Sequence, residues 1–133
     1  MIQKDYIERM TQQVAKVLAR LIGKDWEQTL LVIEEVYNDW LPIKRDDLLA
    51  YPPEEILDWL VVKENISLDE LEAIANLLHT ESVHLLDLEQ KEEAFDRLKK
   101  AFLLLEYVDQ QADIYSFERT HQIEQVQQIL NQF

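Results

Sequence analysis

Cysteine is absent from this chain of 133 residues, which excludes disulfides, thiolate metal sites and a cysteine nucleophile. A reducing compartment fits, and a cytoplasmic location is the expectation. One glycine and three prolines are too little punctuation for a sheet of many tight turns, and one glycine cannot build a Gly-rich phosphate loop. Helix is favoured before any pattern is read. No apolar stretch approaches the ~18 residues that a membrane span requires. The opening MIQKDYIERM carries charge where a signal peptide needs an apolar run. Positive charge is scarce too: 13 Lys and Arg face 27 Asp and Glu, for a net charge of −14. Phosphate binding depends on clustered cations, so nucleic acid is not an expected partner.

The composition is that of a folded protein, 47% hydrophobic and 30% charged. A chain of this length can form one hydrophobic core unaided, and a single helical domain over 1–133 is expected. The few cations are gathered at the front. Residues 1–24 hold five basic groups (Lys4, Arg9, Lys16, Arg20, Lys24) against Asp5 and Glu8, leaving eight basic against 25 acidic groups in the remainder. A basic helix lying on an acidic body of its own chain accounts for this; the alternative is a detachable helix that touches a membrane or an acidic partner.

Apolar periodicity divides the chain into helices. Ile7, Met10, Val14, Val17, Leu18 and Leu21 form one stripe over about Lys4 to Ile22, with Gly23 as a left-handed stop. Asp25 and Gln28 cap a second helix striped by Trp26, Leu30, Ile33, Tyr37 and Trp40 and ended by Pro42, so the first two form an antiparallel hairpin. A connector with at most a turn or two spans Pro42 to Pro53. A short helix then runs from Pro53 to about Lys63 with Ile56, Leu57 and Leu60 inward. Ser67 and Glu70 make a capping box for the fourth helix, about Leu68 to Leu88, striped by Leu71, Ile74, Ala75, Leu78 and Leu85. The central helix, Glu89 to Val108, places Ala94, Phe95, Leu98, Ala101, Phe102 and Leu105 on one face. Leu103, Leu104 and Tyr107 point the other way and need a second cover. Ser116 caps a last helix with the stripe Ile123, Val126, Leu130 and Phe133. No segment reads as a strand, and the fold class is all-α, a bundle of antiparallel helical hairpins.

In the C-terminal half, Leu78, Leu85, Ala94, Leu98 and Ala101 fall at the spacing of the large and small packing residues of a tetratricopeptide repeat. Ser82 and Glu89 stand where that motif commonly has glycine, and Glu106 where it has proline. With its opening MIQKDYIERM and its order of helices, the chain resembles a family of small bacterial all-helical proteins of unknown function that are tetratricopeptide-like. The resemblance implies a helical scaffold and brings no catalytic or binding residue with it.

The sharpest chemical candidate is the pair Glu81-x-x-His84 and Glu118-x-x-His121, since di-iron carboxylate bundles use two such motifs with two further glutamates. Glu34 or Glu35 and Glu93 or Glu106 nominally complete the set. Helical projection argues against it, because His84 lies roughly 120° and His121 roughly 140° from the apolar stripes. With 16 glutamates in the chain the spacing is mild coincidence, and no metal or other cofactor is expected. Glu54-Glu55 and Glu92-Glu93 diverge by about 100° and read as solvated pairs rather than an acid and base. His79 reads as a partly buried structural histidine, and Trp26, Tyr37 and Trp40 as core.

Two classes of function remain. One is a protein–protein interaction module, a helical scaffold or adaptor whose partner is another protein or a second copy, with Leu31, Leu103, Leu104 and Tyr107 as the candidate surface. The other is a small-ligand-binding protein or an enzyme whose site is assembled from distant residues. The absence of any local catalytic grouping favours the first.

Overall fold

The computed structural model describes residues 2–21 and 23–133. All regular structure among them is helical. None of these helices is long and apolar enough to cross a membrane. Internal contacts gather into two compact units, Met1–Tyr51 and Pro52–Phe133. The division falls within Tyr51-Pro52-Pro53, at the end of the connector marked by the loss of apolar periodicity.

In the first unit α1 (Ile2–Arg20) packs against α2 (Trp26–Trp40), and a short α3 (Arg45–Ala50) follows. Met10, Val14, Val17 and Leu21 of the first stripe are buried, as are Ile33 and Tyr37 of the second; Trp26, Leu30 and Trp40 are only half-buried, and Val36, outside the stripe, is enclosed. The expected end of the first helix at Ile22 lies outside the described residues. Gly23 has φ +79°, the left-handed conformation that only glycine adopts cheaply. Asp25 caps α2 by accepting from the Gln28 amide at 2.8 Å. The Tyr6 hydroxyl donates to the Trp40 carbonyl, and the two rings stack.

The second unit begins with a 3-10 turn, Pro53–Glu55, that runs through Ile56 and Leu57 into a π-helical segment, Asp58–Lys63. Its wider bore appears in the bond from the Glu64 amide to the Trp59 carbonyl, at 2.9 Å across five residues. Asn65, at φ 52°, ends it, with the Ile66 amide closing on the Leu60 carbonyl. The capping box at the start of α4 (Leu68–Asp87) is complete in both directions: Ser67 Oγ accepts from the Glu70 amide, and Glu70 Oε1 accepts from the Ser67 amide. α5 (Lys91–Gln111) packs along α4, and α6 (Phe117–Leu130) packs against α5. Ser116 Oγ caps α6 by accepting from the Arg119 amide.

Between α4 and α5 the chain turns through Leu88, Glu89 and Gln90. Glu89 has φ 60°, and the Glu89 and Gln90 amides bond the Leu86 and Leu85 carbonyls, a Schellman turn on a residue with a Cβ. A non-glycine residue costs about 1–2 kcal/mol in this conformation, and glycine returns part of that through its freer unfolded chain. Glu89→Gly is therefore expected to raise stability by about 0.5–1 kcal/mol in urea unfolding. An unchanged or lower midpoint would show that the turn carries no such strain.

The buried face of α5 differs from the periodicity reading. Ala94, Leu98, Ala101 and Leu105 are enclosed, but so are Lys100, Leu104 and Val108, whereas Phe95 is 40% exposed and Phe102 half-buried. The inward arc is thus turned roughly 60° toward Leu104. Phe95 and Phe102 find cover at the edge instead: Phe95 meets the Phe133 ring at 5.3 Å between centroids, and the Lys99 ammonium sits 5.7 Å from the Phe102 centroid.

Candidate functional site

The residues offered as an interaction surface by helical projection separate in the structure. Leu31, on α2 in the first unit, is 64% exposed. Leu104 is fully enclosed and cannot be a surface residue, because the buried arc of α5 is turned toward it. Leu103 and Tyr107 are half-buried. Leu103 lines an open groove of about 400 Å³ with Pro53, Glu54, Phe95, Asp96 and Lys99. The Asp96 carboxylate in that groove already holds Arg97 and Lys100, each at 3.1 Å. It is occupied by internal cations rather than directed at a ligand.

The Glu-x-x-His motifs do not converge. Glu81 is fully buried and lies 3.6 Å from Arg97 Nε, an ion pair between α4 and α5. His84 Nδ1 is 3.1 Å from the Thr80 carbonyl of its own helix, and Glu118 and His121 are exposed on α6. Among the described residues no group of three or more His, Asp or Glu side chains is placed to hold a metal ion. Lys100 is enclosed beside the same cluster, and burial pushes its ammonium below the ordinary value against the opposing pull of Asp96. His79 is bridged to α6, with Gln122 Nε2 3.1 Å from its Nδ1. Burial lowers its pKa. With the amide nitrogen donating, Nδ1 accepts and the ring is neutral.

That histidine gives a signed pH dependence. Its folded pKa lies below 6.5, so the unfolded chain takes the proton first and stability falls as pH drops from about 6.5 toward the folded value. The slope from this one group is at most about 1.4 kcal/mol per pH unit. His79→Gln should show a shallower loss than wild type when melting is followed from about pH 7 to pH 5. Parallel curves would remove His79 from the account.

Among the described residues the most exposed apolar group lies where no helical stripe points, along the connection from α5 into the first residue of α6. Ile114 is 81%, Tyr115 65% and Phe117 80% exposed. The Tyr115 and Phe117 rings meet edge to face at 5.3 Å. Beneath them Arg119, only 6% exposed, fastens the connection to both neighbouring helices. Its Nε donates to Asp109 at 3.0 Å, Nη1 to Glu72 at 3.2 Å and Nη2 to the Ile114 carbonyl at 3.2 Å. Burial alone would lower the guanidinium pKa; the hydrogen bonds and charges of Asp109 and Glu72 outweigh it and hold it above its ordinary value. A buried cation thus braces a short segment that presents one aliphatic and two aromatic side chains to solvent. The signal was available in the sequence, since Ile114-Tyr115-Ser116-Phe117 puts three large apolar residues in four positions outside any helical period. Periodicity does not register it, because Ile114 and Tyr115 precede the helix and Phe117 lies opposite its apolar stripe.

No family model, no curated protein and no solved structure matches this chain.

Proposed function

We propose that this protein is a protein-interaction module, a helical scaffold or adaptor that meets its partner through Ile114, Tyr115 and Phe117. The observation that carries the reading is the exposure of all three where the connection held by the Arg119 clamp enters α6. Exposed aromatic side chains forgo roughly 1.5–3 kcal/mol each of burial, and a rigid support lowers the ordering cost when a partner covers them. The module is built of antiparallel helical hairpins, tetratricopeptide-like in α4 and α5, as in the small bacterial family it resembles, and it works in the cytoplasm. The three-residue connection from α4 to α5 supports that arrangement, as does the reach of Tyr6, near the start of α1, to Trp40 at the end of α2. Leu31, Leu103 and Tyr107 are secondary contacts.

The test is crosslinked co-purification from the native cell with wild type and with a Tyr115→Glu/Phe117→Glu double variant. Both side chains face solvent, so the variant should melt within about 0.5 kcal/mol of wild type. A partner retained by wild type and depleted at least about tenfold by the variant is the expected result. Equal capture by both would move the contact elsewhere; capture by neither would remove the interaction reading.

A further inference from the structure

We infer that the Ile114–Phe117 patch takes a basic amphipathic segment of another protein, in which Lys and Arg flank aromatic or aliphatic side chains. This rests on the interaction reading above and adds the chemistry of the partner. Charge selects the partner. Residues 52–133 contain 18 acidic and six basic side chains. Three of the six, Arg97, Lys100 and Arg119, are withdrawn from the surface onto carboxylates of α4 and α5, at 12%, 0% and 6% side-chain exposure. Only Lys63, Lys91 and Lys99 are left to offset the acids that face solvent, and Lys99 is half-buried against Phe102. At the patch itself Asp113 and Glu118 flank the apolar residues, and both are exposed. Asp109, bonded to Arg119 yet 37% exposed, lies near the end of α5, four residues before Asp113.

An apolar patch set in a one-signed field selects its occupant. A second copy meeting this one patch to patch would bring the same negative field to the contact, where like charges oppose association. An anionic membrane is repelled for the same reason. A cationic helix or extended segment is attracted at long range and can then bury its own apolar face on Ile114, Tyr115 and Phe117, with its Lys and Arg reaching the acidic rim.

The experiment is selection of a displayed random peptide library against the full-length protein, with counter-selection on an Ile114→Ser/Phe117→Ser variant of matching melting temperature. The enriched peptides should carry net positive charge with at least one aromatic or large aliphatic residue. Their binding should weaken at least about tenfold between about 50 and 500 mM salt, as screening of charge requires. Patch-dependent peptides that are neutral or acidic would overturn the charge inference while leaving the interaction reading in place. If no enriched peptide depends on the patch, both fail. Sedimentation and flotation decide the remaining occupants. A wild-type dimer lost in the Ser variant, or patch-dependent binding to phosphatidylcholine vesicles, would replace the basic segment with a second copy or a lipid surface.

Discussion

Arg97→Met is expected to lower the unfolding free energy by about 3 kcal/mol. Glu81, its partner across α4 and α5, is fully enclosed, and Arg97 itself is 12% exposed at the side chain. Removing one member of a buried pair leaves the other charge away from water with less to compensate it, which is why such changes cost more than the pair contributes. The fixed contact is 3.6 Å from Nε to Oε1, an ion pair rather than a hydrogen bond, so the attraction does little beyond offsetting desolvation. The double variant Arg97→Met/Glu81→Leu should therefore recover part of the loss in urea unfolding, the rest reflecting the pull of Glu81 on the enclosed Lys100. Asp96, which also receives Arg97, keeps Lys100 and some water. A double variant as unstable as the single would mean that Glu81 has another role in holding the seam.

The Arg119 clamp should give the second large effect. Arg119→Met removes two charge-assisted hydrogen bonds and one to a backbone carbonyl. Glu72 and Asp109 are 30% and 37% exposed and regain water, which holds the expected loss to about 2 kcal/mol rather than the sum of three full bonds. The change should be local in kind as well. Freed from the guanidinium, the Ile114 carbonyl no longer ties the connection down, and chymotrypsin should cut after Tyr115 or Phe117 faster than global unfolding allows. Arg119→Lys keeps the charge but not the fork, and should restore part of the stability with little of the protection. Unchanged cleavage in the Met variant would show that the segment is held by something other than Arg119.

The helices were legible because their signals are local. Ser67 with Glu70, Asp25 with Gln28 and the single glycine at position 23 each mark an end by chemistry that operates within a few residues, and each does so in the structure. The α4 stripe was equally clear, with Leu71, Ile74, Ala75, Leu78 and Leu85 all enclosed. What failed depends on partners distant in sequence. Counting Phe95 and Phe102 into the core of α5, and Leu104 out of it, follows from hydrophobicity alone, whereas Lys100 and Glu81 are enclosed because each has an opposite charge nearby. No period in a single helix reports that. The candidate surface was missed for the opposite reason: Ile114 and Tyr115 belong to a connection, about which helical projection has nothing to say, and Phe117, the first residue of α6, lies on the side of that helix opposite Val126.

The π-helical segment at Asp58–Lys63 bears on which changes in chain length this protein tolerates. A π turn holds one residue more than an α turn while keeping the chain hydrogen-bonded to itself. Val62 is 71% exposed there, and its side chain contributes little to packing. A version of the protein one residue shorter at Val62 would have the means to relax into ordinary α geometry and still deliver Asn65 to the same turn. Substitution shows nothing of this slack; a single-residue deletion, which destroys most helices by rotating everything beyond it, would find here a place to be absorbed.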